Sequence, residues 1–398
     1  MWRWWSIGLA WALAGAFGGV AQAFAPPPSP PPPITAKAAL LESADGQVLF
    51  AHNAHTPLPI ASVTKLMTLY LVVRAVERGR IHLQDRVPVS EGAWRVGGSQ
   101  IWLEPGERLT VDELLRAVAV GSANDAAYAL GEYLAGSEEA FVAAMNRTAA
   151  RLGMRQTHFQ NPHGLHHPQH YATAYDLGLL ARHAVRHPLL LRYTRQWQDR
   201  TLRNGKGGTL WLINQNRLLR TYPGTDGLKT GYTREAGFCL VATAVRDHTR
   251  LIAVVLGEPT SQARFADAAA LLTWGFDHYQ TVPVAKAGMA WGRVRVDRGA
   301  AEAVTAVAPH PVAVTVPKGE APMVQVRASL PERVTAPVAV GQRLGTLTVS
   351  VGDRVVREVP LVAQAAVRRV SWPELFWRTW WQVVGTAVAP GAKGGAIP

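Results

Sequence analysis

The chain has 398 residues, 48% of them hydrophobic and 17% charged, and a net charge of +13. This is a globular composition with length enough for two ordinary domains. The charge favours an anionic partner, but there is no Cys/His finger and no dense basic run interleaved with aromatics, which excludes the usual nucleic-acid readers and leaves an anionic surface. Cys239 is the only cysteine, so internal disulfides and zinc sites built on several cysteines are excluded.

At the N-terminus Arg3 precedes an apolar stretch from Trp4 to Val20, and Ala21-Gln22-Ala23 is a small-x-small cleavage site. Residues 1–23 read as a secretory signal. An uncleaved anchor is the alternative, opposed by the glycines in the stretch and its shortness. Residues 24–35, with Pro26 to Pro33, read as a stiff extended spacer, so the mature protein is expected to work outside the cytoplasm. Ala38 to Phe50 has two apolar runs around Asp45-Gly46, the pattern of a hairpin.

Pro57 and Pro59 end whatever precedes them, and Leu66 to Val76 is apolar enough for a buried helix. Ser62 and Lys65 then share one face of its first turn. A serine there lies near the positive end of the helix dipole, and a desolvated lysine one turn on can lose its proton and act as base. A capping serine beside a solvated lysine is the plain alternative, and Ser-x-x-Lys alone does not decide between them.

Further on, Thr110-Val111-Asp112-Glu113 is a capping box that starts a helix through Val120. Periodicity breaks at Gly121-Ser122-Ala123-Asn124 and resumes from Asp125 to Leu134, so Ser122 and Asn124 sit on a turn between helices, where Ser122 is again readable as a cap. A helix from Ser137 to Leu152 ends at Gly153. His163, His166, His167 and His170 lie in a Pro- and Gly-rich stretch without a carboxylate or cysteine at ligand spacing, which reads as a surface turn and not a metal site. Thr173 to His187 is a further amphipathic helix.

Gly237 to Val245 and Leu251 to Leu256 are apolar strands joined by a polar turn, an antiparallel pair in a core sheet. Lys229-Thr230-Gly231 is expected on the adjacent edge strand, where a lysine, a hydroxyl and an open backbone suit an anionic, extended substrate. A helix from Ala263 to Tyr279 closes this region.

Ser-x-x-Lys, Ser-x-Asn and Lys-Thr-Gly in this order are the motif set of the penicillin-binding proteins and serine β-lactamases. ASVTKLMT, GSANDAA, DGLKTGYT, RLIAVVLG and LLTWGF further resemble the low-molecular-mass D-alanyl-D-alanine carboxypeptidases. The resemblance implies an α/β transpeptidase-like fold, an antiparallel sheet flanked by helices with a helical subdomain, over residues 36–280. It implies that Ser62 attacks the bond between the terminal D-alanines of a peptidoglycan stem peptide, that Lys65 is the acylation base, and that Ser122 relays a proton to the leaving group. It further implies that Asn124 holds the substrate amide, that Lys229, Thr230 and Arg264 bind the terminal carboxylate, and that the amides of Ser62 and Tyr232, beside Gly231, form the oxyanion hole. No metal or cofactor is implied, and β-lactams are expected to acylate Ser62. Gln215 departs from the pattern, since relatives often carry arginine there.

A class A β-lactamase would need a deacylating glutamate between the second and third motifs; after Glu139 none occurs until Glu235. A crosslink endopeptidase would keep the fold and change the bond cut, and a non-catalytic peptidoglycan-binding scaffold is opposed by three intact motifs. Residues 281–367 shift to valine and threonine, with short strands at 312–316, 324–330, 344–351 and 355–361 and a two-residue turn at Gly352-Asp353. This reads as a small all-β sandwich serving as spacer or stabilising appendage. Residues 368–398 hold an amphipathic helix over 371–385, with four tryptophans in ten residues. The expectation is an interfacial helix on the outer face of the inner membrane, with Arg368 and Arg369 toward anionic lipid.

Overall fold

The computed structural model describes residues 29–203 and 207–374, with Phe376 and Trp380. The expected signal segment, the start of the spacer and most of the tail lie outside the described residues. The chain divides into two compact units. The first holds Pro27–Met289 and Ala308–Pro322; the second holds Ala290–Val307 and the described residues from Met323 onward.

In chain order the first unit runs β1 (Ala38–Ser43), β2 (Val48–His52), a 3₁₀ turn (Ala61–Thr64), α1 (Lys65–Glu77), β3 (Arg86–Pro88), α2 (Glu91–Arg95), β4 (Arg108–Thr110), α3 (Val111–Ala119), α4 (Asn124–Ala135) and α5 (Glu138–Leu152). It continues through α6 (Ala174–Ala184), α7 (Pro188–Thr194), β5 (Gln198–Asp199), β6 (Leu212–Ile213), α8 (Leu218–Thr221), β7 (Thr225–Thr233), β8 (Gly237–Arg246), β9 (Thr249–Glu258), α9 (Ser261–His278) and β10 (Tyr279–Ala285). The second unit supplies β11 (Ala290–Asp297) and β12 (Ala303–Val307). After β13 (Val312–Pro317) in the first unit, β14 (Val324–Ser329), β15 (Arg333–Thr335), β16 (Arg343–Val351) and β17 (Arg354–Ala363) complete it.

The main sheet has the order β2-β1-β9-β8-β7, antiparallel throughout. Its inner strands are continuous apolar runs because both faces are covered. Ala38, Leu40, Ile252 and Val254 point into a core shared with α1 and α3 to α6, whereas Ala39, Leu41, Ala253 and Val255 point into a second core under α9. This architecture, helices on both faces of an antiparallel sheet, is the one expected. The strand carrying Lys229-Thr230-Gly231, β7, is the sheet edge, as its sequence implied.

Helix α1 runs through the middle of the first core, with Leu66, Met67, Leu69, Val72 and Val73 buried. The lysine that begins it is therefore buried as well. The capping box of α3 forms as its sequence implies: Thr110 Oγ1 accepts from the Glu113 amide at 3.2 Å, and the Glu113 carboxylate accepts from the Thr110 amide at 2.7 Å.

Two expectations change. Tyr279 does not end a helix but begins β10, which pairs with β13, so the strand at 312–317 joins the first unit. The tie is polar: the Asp45 carboxylate accepts from the Thr315 amide at 2.9 Å and from its hydroxyl at 2.7 Å. The second unit is built on a six-stranded sheet, β14-β16-β17-β12-β11-β15, to which β11, β12 and β15 contribute beyond the strands expected. The turn at Gly352-Asp353 is as expected, with Val351 opposite Arg354. Arg368, expected toward lipid, is exposed and also has a partner within the chain. It pairs in bidentate fashion with Glu374 at 3.0 Å for both bonds, closing the start of the terminal helix.

The Thr110→Ala variant should lose about 1 kcal/mol of stability through its helix cap. Far-UV circular dichroism melting would report this as a lower midpoint; an unchanged midpoint would mean that the cap contributes nothing.

Candidate active site

The 3₁₀ turn places Ser62 directly before α1. Ala61 has φ +46°, in the left-handed region, which turns the Ser62 amide and hydroxyl toward β7. Two glycines make room for this turn. A Cβ on Gly231 would lie 2.7 Å from the Ile60 carbonyl oxygen and 3.0 Å from the Ser62 nitrogen, and a Cβ on Gly164 would overlap the Ala61 carbonyl. The turn is thus held between β7 and the loop at 160–170.

Lys65 is fully buried. Its Nζ lies 2.9 Å from Ser62 Oγ, 2.6 Å from Asn124 Oδ1 and 2.6 Å from the carbonyl oxygen of His163. Both carbonyl oxygens can only accept. A neutral amine donates one hydrogen to each and keeps its lone pair for the Ser62 hydroxyl. Burial, followed by the charge of Lys229, holds its pKa well below that of an ordinary lysine, against a smaller opposing pull from Asp125.

Ser122 stands in the left-handed region at φ 58°, on the turn between α3 and α4. Lys229 Nζ donates to Ser122 Oγ at 2.9 Å and to the Thr230 carbonyl at 3.0 Å. Burial and the charge of Arg264 bring Lys229 down to about 7. The loop before the turn is pinned to it. The Asn124 amide donates to the Ser99 carbonyl at 2.7 Å and Asn124 Nδ2 to the Gly97 carbonyl at 2.8 Å, while Asp125 accepts from the amides of Ile101 and Leu103. This arrangement leaves Trp102 exposed, and Trp211 is exposed beside β6, whose Leu212 would be 3.2 Å from a Cβ on Gly121.

Seven expected residues converge: Ser62, Lys65, Ser122, Asn124, Lys229, Thr230 and Gly231. Tyr232 is next in the strand, exposed, with its ring stacked on Phe238 at 4.3 Å. Arg264 is buried behind β7, where Nη1 donates to the carbonyls of Gly231 at 3.1 Å and Cys239 at 3.4 Å. Gln215 is exposed between Asn214 and Asn216, which are buried; Asn216 donates to the Gly227 carbonyl at 3.0 Å. Burial brings Arg264 down to about 10, and the charge of Arg217 adds a smaller push in the same direction.

The histidine loop is not the surface turn that its composition suggested. His166 and His167 are exposed, but His163 and His170 are buried and form the inner wall of the site. Thr68 donates to the Pro162 carbonyl at 2.6 Å, and His163 offers its carbonyl to Lys65. His170 Nδ1 accepts from the Gln160 amide at 3.2 Å, so its proton sits on Nε2, 2.7 Å from Thr64 Oγ1, which in turn donates to the Ala61 carbonyl at 2.8 Å. Burial pushes both imidazoles down to about 3, so they are neutral, and the 3.8 Å approach of His163 to Glu138 is not an ion pair at neutral pH.

A buried serine–lysine pair, a second serine–lysine pair and an open strand edge make a site for acyl transfer through Ser62. Comparisons with known proteins agree. The D-alanyl-D-alanine carboxypeptidase family model matches residues 25–260, and the model of the penicillin-binding protein 5 C-terminal domain matches residues 279–369. The chain is 38% identical to the D-alanyl-D-alanine carboxypeptidase DacF of Bacillus subtilis, over 86% of this chain and 88% of that one. It is 35% identical to DacC of Escherichia coli, over 86% and 85%. Penicillin-binding protein 5 from Haemophilus influenzae superposes with a TM-score of 0.74 at 32% identity, covering 86% of this chain and all of that one. With both its site and its sequence in agreement, the chain belongs to the D-alanyl-D-alanine carboxypeptidase family of serine peptidases.

Proposed function

We propose that the chain removes the terminal D-alanine from peptidoglycan stem pentapeptides through an acyl-enzyme on Ser62, and that β-lactams are trapped at the same ester. The observation that carries this reading is Lys65: fully buried, held by two carbonyl oxygens, each at 2.6 Å, and 2.9 Å from Ser62 Oγ, so that once burial has removed its proton the lone pair faces the Ser62 hydroxyl. Ser62 Oγ attacks the carbonyl carbon of the penultimate D-alanine while its proton passes to Lys65. The oxyanion rests on the amides of Ser62 and Tyr232, a contribution of about 3–4 kcal/mol in such sites. Ser122, held by Lys229, delivers a proton to the departing amine as the peptide bond breaks. Water then hydrolyses the ester, releasing the shortened peptide and restoring the Ser62 hydroxyl.

In this reading Asn124 does two things, orienting Lys65 through Oδ1 and receiving the substrate amide. The terminal carboxylate is bound by Lys229 and Thr230. Its approach favours the charged form of Lys229 and so counteracts the depression caused by burial. Arg264 acts as a positioning residue, since its hydrogen bonds go to the backbone of β7 and β8. Arg217 supplies, beside Gln215, the positive charge that the carboxylate end would otherwise lack.

Membership of this family implies an extracytoplasmic, membrane-associated location. Among the described residues no helix is long and apolar enough to cross a membrane. Attachment through residues 371–385 to an anionic surface is supported by the exposure of Trp372, Phe376 and Trp380 on the terminal helix. With Arg368 paired, Arg369 carries the headgroup contact.

The test is intact-mass spectrometry after exposure to benzylpenicillin, with D-alanine release from diacetyl-Lys-D-Ala-D-Ala measured beside it. A stable adduct and released D-alanine, both lost in Ser62→Ala, are expected. Hydrolysed penicillin without an adduct would instead make the protein a lactamase, and neither reaction would leave a binding scaffold. The rate of acylation by penicillin should fall as pH falls through the lowered pKa of Lys65, because protonation removes the base. An ordinary lysine would place that loss near 10.5. Stopped-flow acylation rates across pH would show which holds, and a midpoint near the ordinary value would remove Lys65 as the buried base.

A further inference from the structure

At the end of α1 opposite Lys65, about 20 Å along the helix, lies a cleft of about 430 Å³. Five arginines line it: Arg74, Arg78, Arg80, Arg147 and Arg151. No carboxylate is among the lining residues, and the floor is apolar, formed by Leu71, Leu134 and Phe141. Arg74 donates to Tyr70 Oη at 3.2 Å and Arg151 to Thr148 Oγ1 at 2.6 Å. Among the described residues Arg78, Arg80 and Arg147 have no ion pair and no side-chain hydrogen bond. The nearest acid in sequence, Glu77, is engaged by His187.

Arginines gather at helix C-termini for an ordinary reason, and α1, α4 and α5 all end near this cleft. Each such end carries about half a negative charge, so three of them balance about one and a half of the five positive charges. A surplus of about three and a half remains. Helix capping therefore accounts for less than half of the cluster. The rest is available to a multiply charged anion from outside the described chain.

We propose that this cleft is an anion site that binds phosphate groups in pairs or runs, such as a pyrophosphate or a phosphodiester. Guanidinium groups pair with phosphate oxygens in bidentate fashion, and several forks around one cleft select tetrahedral, multiply charged groups over a single carboxylate. The apolar floor receives the carbon skeleton between or behind the phosphates. A volume of this size lies within the roughly 300–1,000 Å³ of small-molecule sites. Phosphate of this kind reaches an envelope protein either on soluble phosphate chains or in lipid headgroups. The site is separate from the Ser62 chemistry and does not depend on it.

The test uses the mature full-length chain at low ionic strength. Sodium tripolyphosphate is titrated calorimetrically, and sedimentation with phosphatidylglycerol vesicles is compared with phosphatidylcholine vesicles. The variant Arg78→Gln/Arg80→Gln/Arg147→Gln removes three unpaired charges. A second triple, Arg293→Gln/Arg295→Gln/Arg327→Gln, removes the same charge elsewhere. Acylation by benzylpenicillin serves as the check that both remain folded. Saturable one-to-one binding of tripolyphosphate, weakened at least tenfold only in the cleft variant, is the expected result and assigns a soluble ligand. A cleft-specific loss of binding to phosphatidylglycerol alone assigns the lipid source and equally supports the site. Equal weakening in both triples, or binding that does not saturate, would show diffuse charge and overturn the proposal.

Discussion

Two lysines buried within one site cannot both keep their protons cheaply, and the rest of the catalytic unit follows from that constraint. Lys65 and Lys229 stand at the start of a core helix and in the middle of an edge strand, each lowered by burial. Burial is the larger cause in both, and for Lys65 the charge of its neighbour adds to it. The conflict is resolved by unequal surroundings. Lys65 is held by two carbonyl oxygens and faces the Ser62 hydroxyl. Lys229 touches a hydroxyl and its own strand. Two identical side chains in one pocket are thus distinguished by their partners alone.

Those partners come from distant parts of the chain, which is why so much of the fold is needed. The 3₁₀ turn is packed between β7 and the loop at 160–170. That loop is anchored to α1 by Thr68 and His170 and provides the carbonyl that holds Lys65 in place. The loop at 97–103 is clipped to the start of α4 by Asn124 and Asp125. None of these segments is regular structure, and each is fixed by hydrogen bonds to side chains that begin a helix. The helices lend their rigidity to loops in this way.

Residue types with their own chemistry were legible in the sequence. Ser62, Lys65, Ser122, Asn124 and Lys229-Thr230-Gly231 announce themselves by spacing, and β8 and β9 by apolar runs that only a doubly covered strand requires. His163 and His170 were not, for a physical reason. One acts through a backbone carbonyl and the other through a tautomer set by its neighbours, and neither property leaves a mark on residue type. The pairing of β10 with β13 was also hidden, because it joins segments far apart in the chain across an intervening excursion into the second unit.

The two glycines that cradle the Ser62 turn also limit what selection can do under antibiotic pressure. A Cβ at Gly164 would run into the Ala61 carbonyl, and one at Gly231 would press on the backbone around Ser62. The walls that a drug shares with the natural substrate therefore cannot be thickened to exclude the drug without dislodging the nucleophile. Exposed side chains such as Trp102 and Tyr232 carry no such restriction. Bulk added at either of these two glycines would reach the nucleophile before it reached a drug.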